Sequence, residues 1–180
     1  AALTADLIQA MQERAGAPTA QDPRDLSISA LIARIIERHH RWLRDALPWI
    51  RDLAAKVGRV HGGHDPRLVE VAELTGQLAE ALLPHLDEEE EDLFPALMAR
   101  RTPPEVIEAG LSSMEAEHRQ VGAMLERLRA LTDGYTPPEW ACASYGTLLE
   151  ELDHLEDDVL RHVHLENHVL AAKARALLPS

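Results

Sequence analysis

Three histidines and a glutamate fall within two helical turns near the C-terminus, in His162-Val163-His164-Leu165-Glu166-Asn167-His168. Imidazole and carboxylate together are metal-binding chemistry, and the i, i+4 spacing of His162 and Glu166 puts both on one helical face. The same order of His before Glu recurs at His85 and Glu89, in PHLDEEEEDLFP. Two such pairs facing each other would place four ligands at one level of a bundle.

Helical phase sorts the ten histidines. His85 and Glu89 continue the seam Leu78, Leu82, Leu93, Ala96. His118 continues Ile107, Leu111, Met114, Val121, Leu125, Leu128, and His162 and Glu166 continue Leu148, Leu152, Leu155, Val159, Val169. His154 has Glu150 and Asp158 at i±4 and faces water; His164 and His168 share a stripe with Arg161 and Asp157. Of Glu88 to Glu91 only Glu89 continues a seam, and the other three read as a solvated face. Phase leaves His39 and His40 undecided, because Ile32 favours the first and Leu47 the second.

The elements that must position these residues are four long helices. The first runs from an N-cap at Ser27 to about Val60, before Gly62-Gly63. Asp65-Pro66 opens the second, which ends near Met98; Thr102-Pro103-Pro104 opens the third, ending near Leu131; the fourth follows Thr136-Pro137-Pro138. Pro48, Pro84 and Pro95 are expected to distort their helices locally. Short connections imply an all-α, up-down-up-down four-helix bundle over residues 26–180. Residues 1–25 form a short extra amphipathic helix (Leu3, Leu7, Ile8, Met11) and a linker.

Composition supports this. Aromatic residues make up 3% of the chain, net charge is −13, and there is one cysteine, Cys142. The charge disfavours nucleic acid and anionic membranes, and a single thiol excludes an internal disulfide or a thiolate metal site. No apolar run approaches the ~20 residues needed to span a bilayer. A cytoplasmic protein is the simplest account.

Height along the bundle is an independent check. At ~1.5 Å per residue, His40, His85, His118 and His162 can share one layer, with an extended segment around Gly134–Pro138 absorbing the overshoot of the fourth helix. His61 falls ~30 Å away, too far to be a ligand. Buried carboxylates with no buried Lys or Arg call for cations, and these donors suit iron, manganese or zinc. If Glu89 and Glu166 both bridge, each of two metals receives two histidines and two carboxylate oxygens. A solvent-derived oxo or hydroxo bridge then leaves one open position per metal for O2, NO or peroxide. A ferritin-like site would use Glu37-x-x-His40 and Glu115-x-x-His118. Both glutamates point outward by phase, and His85 and His162 would have no role, so it ranks second.

PHLDEEEEDLFP, MEAEH and HVHLEN resemble the hemerythrin-like domain, and more narrowly the di-iron iron–sulfur cluster repair (RIC) family. IIERHHRWLRDALPWI and VGRVHGGHDP are similar to that family's first helix and following turn. The resemblance covers about residues 26 to 172. It selects His40 over His39 and implies a metal set of His40, His85, Glu89, His118, His162 and Glu166 around two non-haem iron ions. It also implies a cytoplasmic protein of the nitrosative and oxidative stress response that repairs iron–sulfur clusters, by iron release or by NO chemistry, with iron–sulfur proteins as partners. Oxygen-carrying hemerythrins differ: they have His-x-x-x-His on the third helix, where this chain has Met114 and Gly122 four residues either side of His118. Longer members of the repair family carry an N-terminal Cys-Cys domain that this sequence lacks; residues 1 to 15 look like the segment following it. The alternatives are an O2 or NO sensor or store without turnover, and a ferritin-like iron oxidase.

Overall fold

The computed structural model describes residues 22–99 and 101–178; the helix expected within residues 3–15 lies outside them. Four long helices form the bundle. Helix α1 comprises Ile28–Ile35, a wider π turn at Ile36–His40, and Arg41–His61. Helix α2 comprises Arg67–Glu88, a π turn at Glu89–Leu93, and Phe94–Met98. Helix α3 is Pro104–Leu131 without interruption. Helix α4 comprises Ala143–His164, a π turn at Leu165–Leu170, and Ala171–Arg175. Each helix packs on the next and α4 closes on α1, the ring expected of up-down-up-down connectivity.

Local chemistry sets the ends. The Ser27 hydroxyl accepts from the Ala30 amide at 3.2 Å and starts α1. Asp65 accepts from the Arg67 amide at 3.0 Å, so it caps α2 although the regular helix begins after Pro66. Helix α1 continues through Pro48. Gly58 lets α1 and α2 approach closely: a Cβ there would lie 2.8 Å from the Leu68 carbonyl oxygen.

The link after α3 departs from expectation. Asp133, Gly134 and Tyr135 are all left-handed, at φ 51°, 69° and 60°, so the chain turns tightly instead of extending from Gly134. That turn buries the Tyr135 ring, whose hydroxyl donates to Glu156, itself bound by Arg129 Nε at 2.7 Å. Burial and the Glu156 carboxylate push the Tyr135 hydroxyl pKa well above its ordinary value. A folded-state pKa above the unfolded one leaves stability intact below about pH 10 and erodes it above. Urea melts should therefore show Tyr135→Phe losing about 1 kcal/mol at pH 7 and losing less than wild type between pH 9 and 11. Equal alkaline slopes would refute this.

The apolar core is split in two. One cluster joins Leu43, Leu47, Leu82, Leu86, Val121, Leu125, Leu155 and Val159. The other joins Leu31, Ile35, Leu93, Phe94, Leu111, Met114, Val169 and Leu170. On every helix a buried polar residue separates the two: His40 between Ile35 and Leu43, Glu89 between Leu86 and Leu93, His118 between Met114 and Val121, and His162 with Glu166 between Val159 and Val169.

Candidate metal centre

All six sequence-predicted residues meet in that layer, each at least nine-tenths buried. They form two overlapping groups of four, within which one potential ligand atom per residue lies within 4.8 Å of every other. One group is His40, Glu89, His162 and Glu166; the other is His85, Glu89, His118 and Glu166. Both carboxylates belong to both groups, and each turns one oxygen toward each. Glu89 sets Oε2 3.4 Å from His40 Nε2 and Oε1 3.4 Å from His85 Nε2. Glu166 sets Oε1 2.8 Å from His162 Nε2 and Oε2 3.3 Å from His118 Nε2.

Three π turns position the layer. Each contains or begins at one of its residues: His40, Glu89 and Glu166. A π turn inserts one residue and rotates everything beyond it by about 100°, and such turns concentrate at functional sites. This is why phase could not choose between His39 and His40: Ile32 and Leu47 lie on opposite sides of the insertion. Both histidines are in fact buried. Helix α3, whose apolar seam reads without a break, has no such turn and supplies one residue, His118.

Outer partners fix the ring orientations. His40 Nδ1 donates to Glu90 Oε1 at 2.8 Å, His85 Nδ1 to Glu117 Oε2 at 2.6 Å, and His118 Nδ1 to Asn167 Oδ1 at 2.9 Å. Glu90 is therefore no member of a merely solvated face, as its place in the acidic run implied; it also accepts from Arg44 Nη2 at 3.0 Å. Burial raises its carboxyl pKa, but the His40 and Arg44 hydrogen bonds outweigh that and lower it. Glu90, Glu117 and Asn167 escaped the seam analysis because each is one residue from an inward side chain, turned about 100° toward the neighbouring helix. That adjacency was the available signal. Phe94, which stacks on His40 at 5.7 Å, lies beyond a π turn and was out of phase for the same reason.

These partners leave Nε2 as the bare lone pair of the neutral imidazoles of His40, His85 and His118. Yet His40 and His162 bring their Nε2 atoms to 3.1 Å, and His85 and His118 to 3.0 Å. Both oxygens of Glu89, and Oε2 of Glu166, are buried without a hydrogen-bond partner among the described residues. Converging lone pairs and undonated carboxylate oxygens are unfavourable unless cations share them, so the donor set fits metal ions. Burial and the Glu166 charge push Glu89 well above the ordinary carboxylate range. Burial works the same way on Glu166, but His162, His118 and His40 outweigh it and hold that carboxyl well below.

Residues outside the layer fall where phase put them. His154, His164 and His168 are exposed. Glu37 is exposed and Glu115 is bound by Arg175 Nη1 at 2.7 Å, so the ferritin-like pairing is not assembled. His61 lies at the other end of α1, 3.1 Å from the Cys142 thiol.

Bundle and layer together have the form of a hemerythrin-like domain with two groups of residues able to hold a metal ion, and the comparisons show the family. Residues 31–174 match the hemerythrin HHE cation binding domain, and the chain belongs to that family. The chain is similar to the iron–sulfur cluster repair protein ScdA of Staphylococcus haemolyticus, with 35% identity over 150 residues, covering 82% of this chain and 68% of the relative. It is similar to the iron–sulfur cluster repair protein YtfE of an Enterobacter species, at 34% over 175 residues, covering 97% and 79%. A YtfE from Yersinia pseudotuberculosis is 35% identical over 156 residues, covering 87% and 70%.

Proposed function

We propose that this protein holds two non-haem iron ions and takes part in the repair of iron–sulfur clusters. The carrying observation is that two four-residue groups share both carboxylates, one oxygen to each group. His40 and His162 would hold one ion and His85 and His118 the other, with Glu89 and Glu166, common to both groups, available to each. Iron held there supplies redox chemistry, a releasable metal, and positions for small ligands such as NO, O2 or peroxide. The apolar clusters on either side exclude water, and Glu90, Glu117 and Asn167 hold three rings in the tautomer that presents Nε2.

One opening supports exchange over permanent storage. A cavity of about 190 Å³ reaches His85 and Glu89 from the surface and is edged by Glu88, Asp92 and Glu117. Carboxylates along that path favour passage of a cation. Iron–sulfur proteins are the partners that the relatives' names suggest, and a cytoplasmic setting suits that work. Among the described residues no helix is long and apolar enough to cross a membrane. The domain proposal is one bundle over residues 26–180 preceded by the segment 1–25.

The test combines metal content with repair. Protein expressed with ample iron should carry two irons per chain, show the charge-transfer bands of an iron pair, and restore a nitric-oxide-damaged iron–sulfur enzyme. Fewer than two irons would sink the dinuclear reading. Two irons, reversible NO binding and no restoration or N2O would instead favour a sensor or store.

A further inference from the structure

Three of the four proposed histidine ligands have Nδ1 tied to a side chain of the protein. His162 does not: its Nδ1 is buried and has no hydrogen-bond partner among the described residues. A ligating imidazole whose outer nitrogen is free has no hydrogen bond to fix its rotation about the Cβ–Cγ bond. Something else must hold that ring.

We propose that His39, anchored by Asp158, is a positioning residue for His162. The His39 ring lies parallel to the His162 ring, with centroids 5.5 Å apart and planes within 6°, in the range of offset stacking. Its Nδ1 meets Asp158 Oδ1 at 2.9 Å, and both side chains are largely buried. Asp158 precedes His162 by four residues on α4, so the two lie one turn apart on the same face. His39 therefore reaches across from α1, fastens to one turn of α4, and lies flat over the ligand on the next. The π turn at Ile36–His40 allows this by turning two consecutive histidines inward, one to the metal layer and one to its flank.

The clamp serves one metal position only. His162 belongs to the group with His40, whereas the His85 and His118 group is held by Glu117 and Asn167. His39 and Asp158 also line a cavity of about 580 Å³ with Arg38, His154, Arg161 and His164. Solvent thus approaches the His162 group behind the clamp, and loosening His39 should free one iron of the pair.

This inference rests on the dinuclear reading, and the experiment separates the two. Iron-loaded wild type, His39→Ala, His39→Phe and Asp158→Ala are mixed anaerobically with an Fe(II) chelator, and the number and rates of the releasing irons are counted. In His39→Ala one of two irons should leave about tenfold faster than in wild type, the other unchanged, as for loss of an outer partner of a metal ligand. His39→Phe keeps a flat ring but loses the Asp158 anchor, so it should return that iron only part of the way to the wild-type rate. Asp158→Ala should fall between, which keeps the test decisive if His39→Ala folds poorly. A metal-free crystal structure of His39→Ala should show the His162 ring turned from its wild-type orientation. Unchanged release in His39→Ala, equal acceleration of both irons, or His39→Phe behaving as His39→Ala would overturn the clamp alone. Fewer than two irons in wild type would overturn the dinuclear reading and the clamp with it.

Discussion

Glu89→Leu should make the metal-free protein more stable by about 1–4 kcal/mol while removing its ability to hold two irons. Both oxygens of Glu89 are buried with no donor, and its carboxyl is pushed well above the ordinary range. In the absence of metal this side chain is a cost, and leucine would complete the seam between Leu86 and Leu93. Glu166→Leu should behave differently. Glu166 accepts from His162 at 2.8 Å and faces His118 at 3.3 Å, so its loss leaves buried imidazoles unpaired. Metal-free Glu166→Leu should lose about 1–3 kcal/mol. Either substitution removes a carboxylate common to both groups, and neither variant should retain two irons. Urea melts of metal-free protein, paired with iron counts after reconstitution, decide the matter. Two irons in either variant, or a destabilised Glu89→Leu, would contradict the bridging assignment.

The layer was legible in the sequence because an intruder in an apolar seam is conspicuous. His85, Glu89, His118, His162 and Glu166 each interrupt a run of Leu, Val, Ile or Met at helical spacing. The choice of His40 over His39 was not legible from phase, because a π turn shifts the register by one residue between Ile32 and Leu47. Nothing in residue type announces such an insertion; it is fixed by contacts with the other helices. The same limit hid Phe94, which lies past the π turn of α2. Outer partners were harder still. Glu90, Glu117, Asn167 and Asp158 sit on the flanks of their helices, and whether a flank faces water or a neighbour depends on helix rotation, which sequence periodicity does not give. Even Glu156, buried against Tyr135 and Arg129, reads in the sequence as one more acid in an acidic chain.

Metal loading should raise the melting temperature, and the rise should grow as pH increases from 6 through the ordinary imidazole range to 9. Sign follows from each group in turn. Glu89 has a raised pKa, so its contribution is complete below the ordinary carboxylate range and is lost as pH rises through its folded value. His118 is lowered by burial but raised further by its hydrogen bond and charge interaction with Glu166, and the net rise makes its contribution fade with rising pH as well. His85 and His162 are both lowered by burial, and above pH 7 they are neutral whether the chain is folded or not. Glu166, held low, is ionised in both states and adds no slope there. Metal-free protein should therefore weaken as pH rises above the ordinary carboxylate and imidazole values and until Glu89 and His118 pass their folded values. Metal opposes this, because cations compete with protons for the same imidazoles and carboxylates and bind more tightly as pH rises. With free metal at about a thousand times its dissociation constant, binding stabilises by about 4 kcal/mol, or roughly 8–16 °C in a domain of this size. Calorimetry of metal-free and loaded protein at pH 6, 7, 8 and 9 measures the gap directly. A gap that stays constant or shrinks across that range would mean that Glu89 and His118 are not competed for by the metal, and the proposed ligand set would have to be redrawn without them.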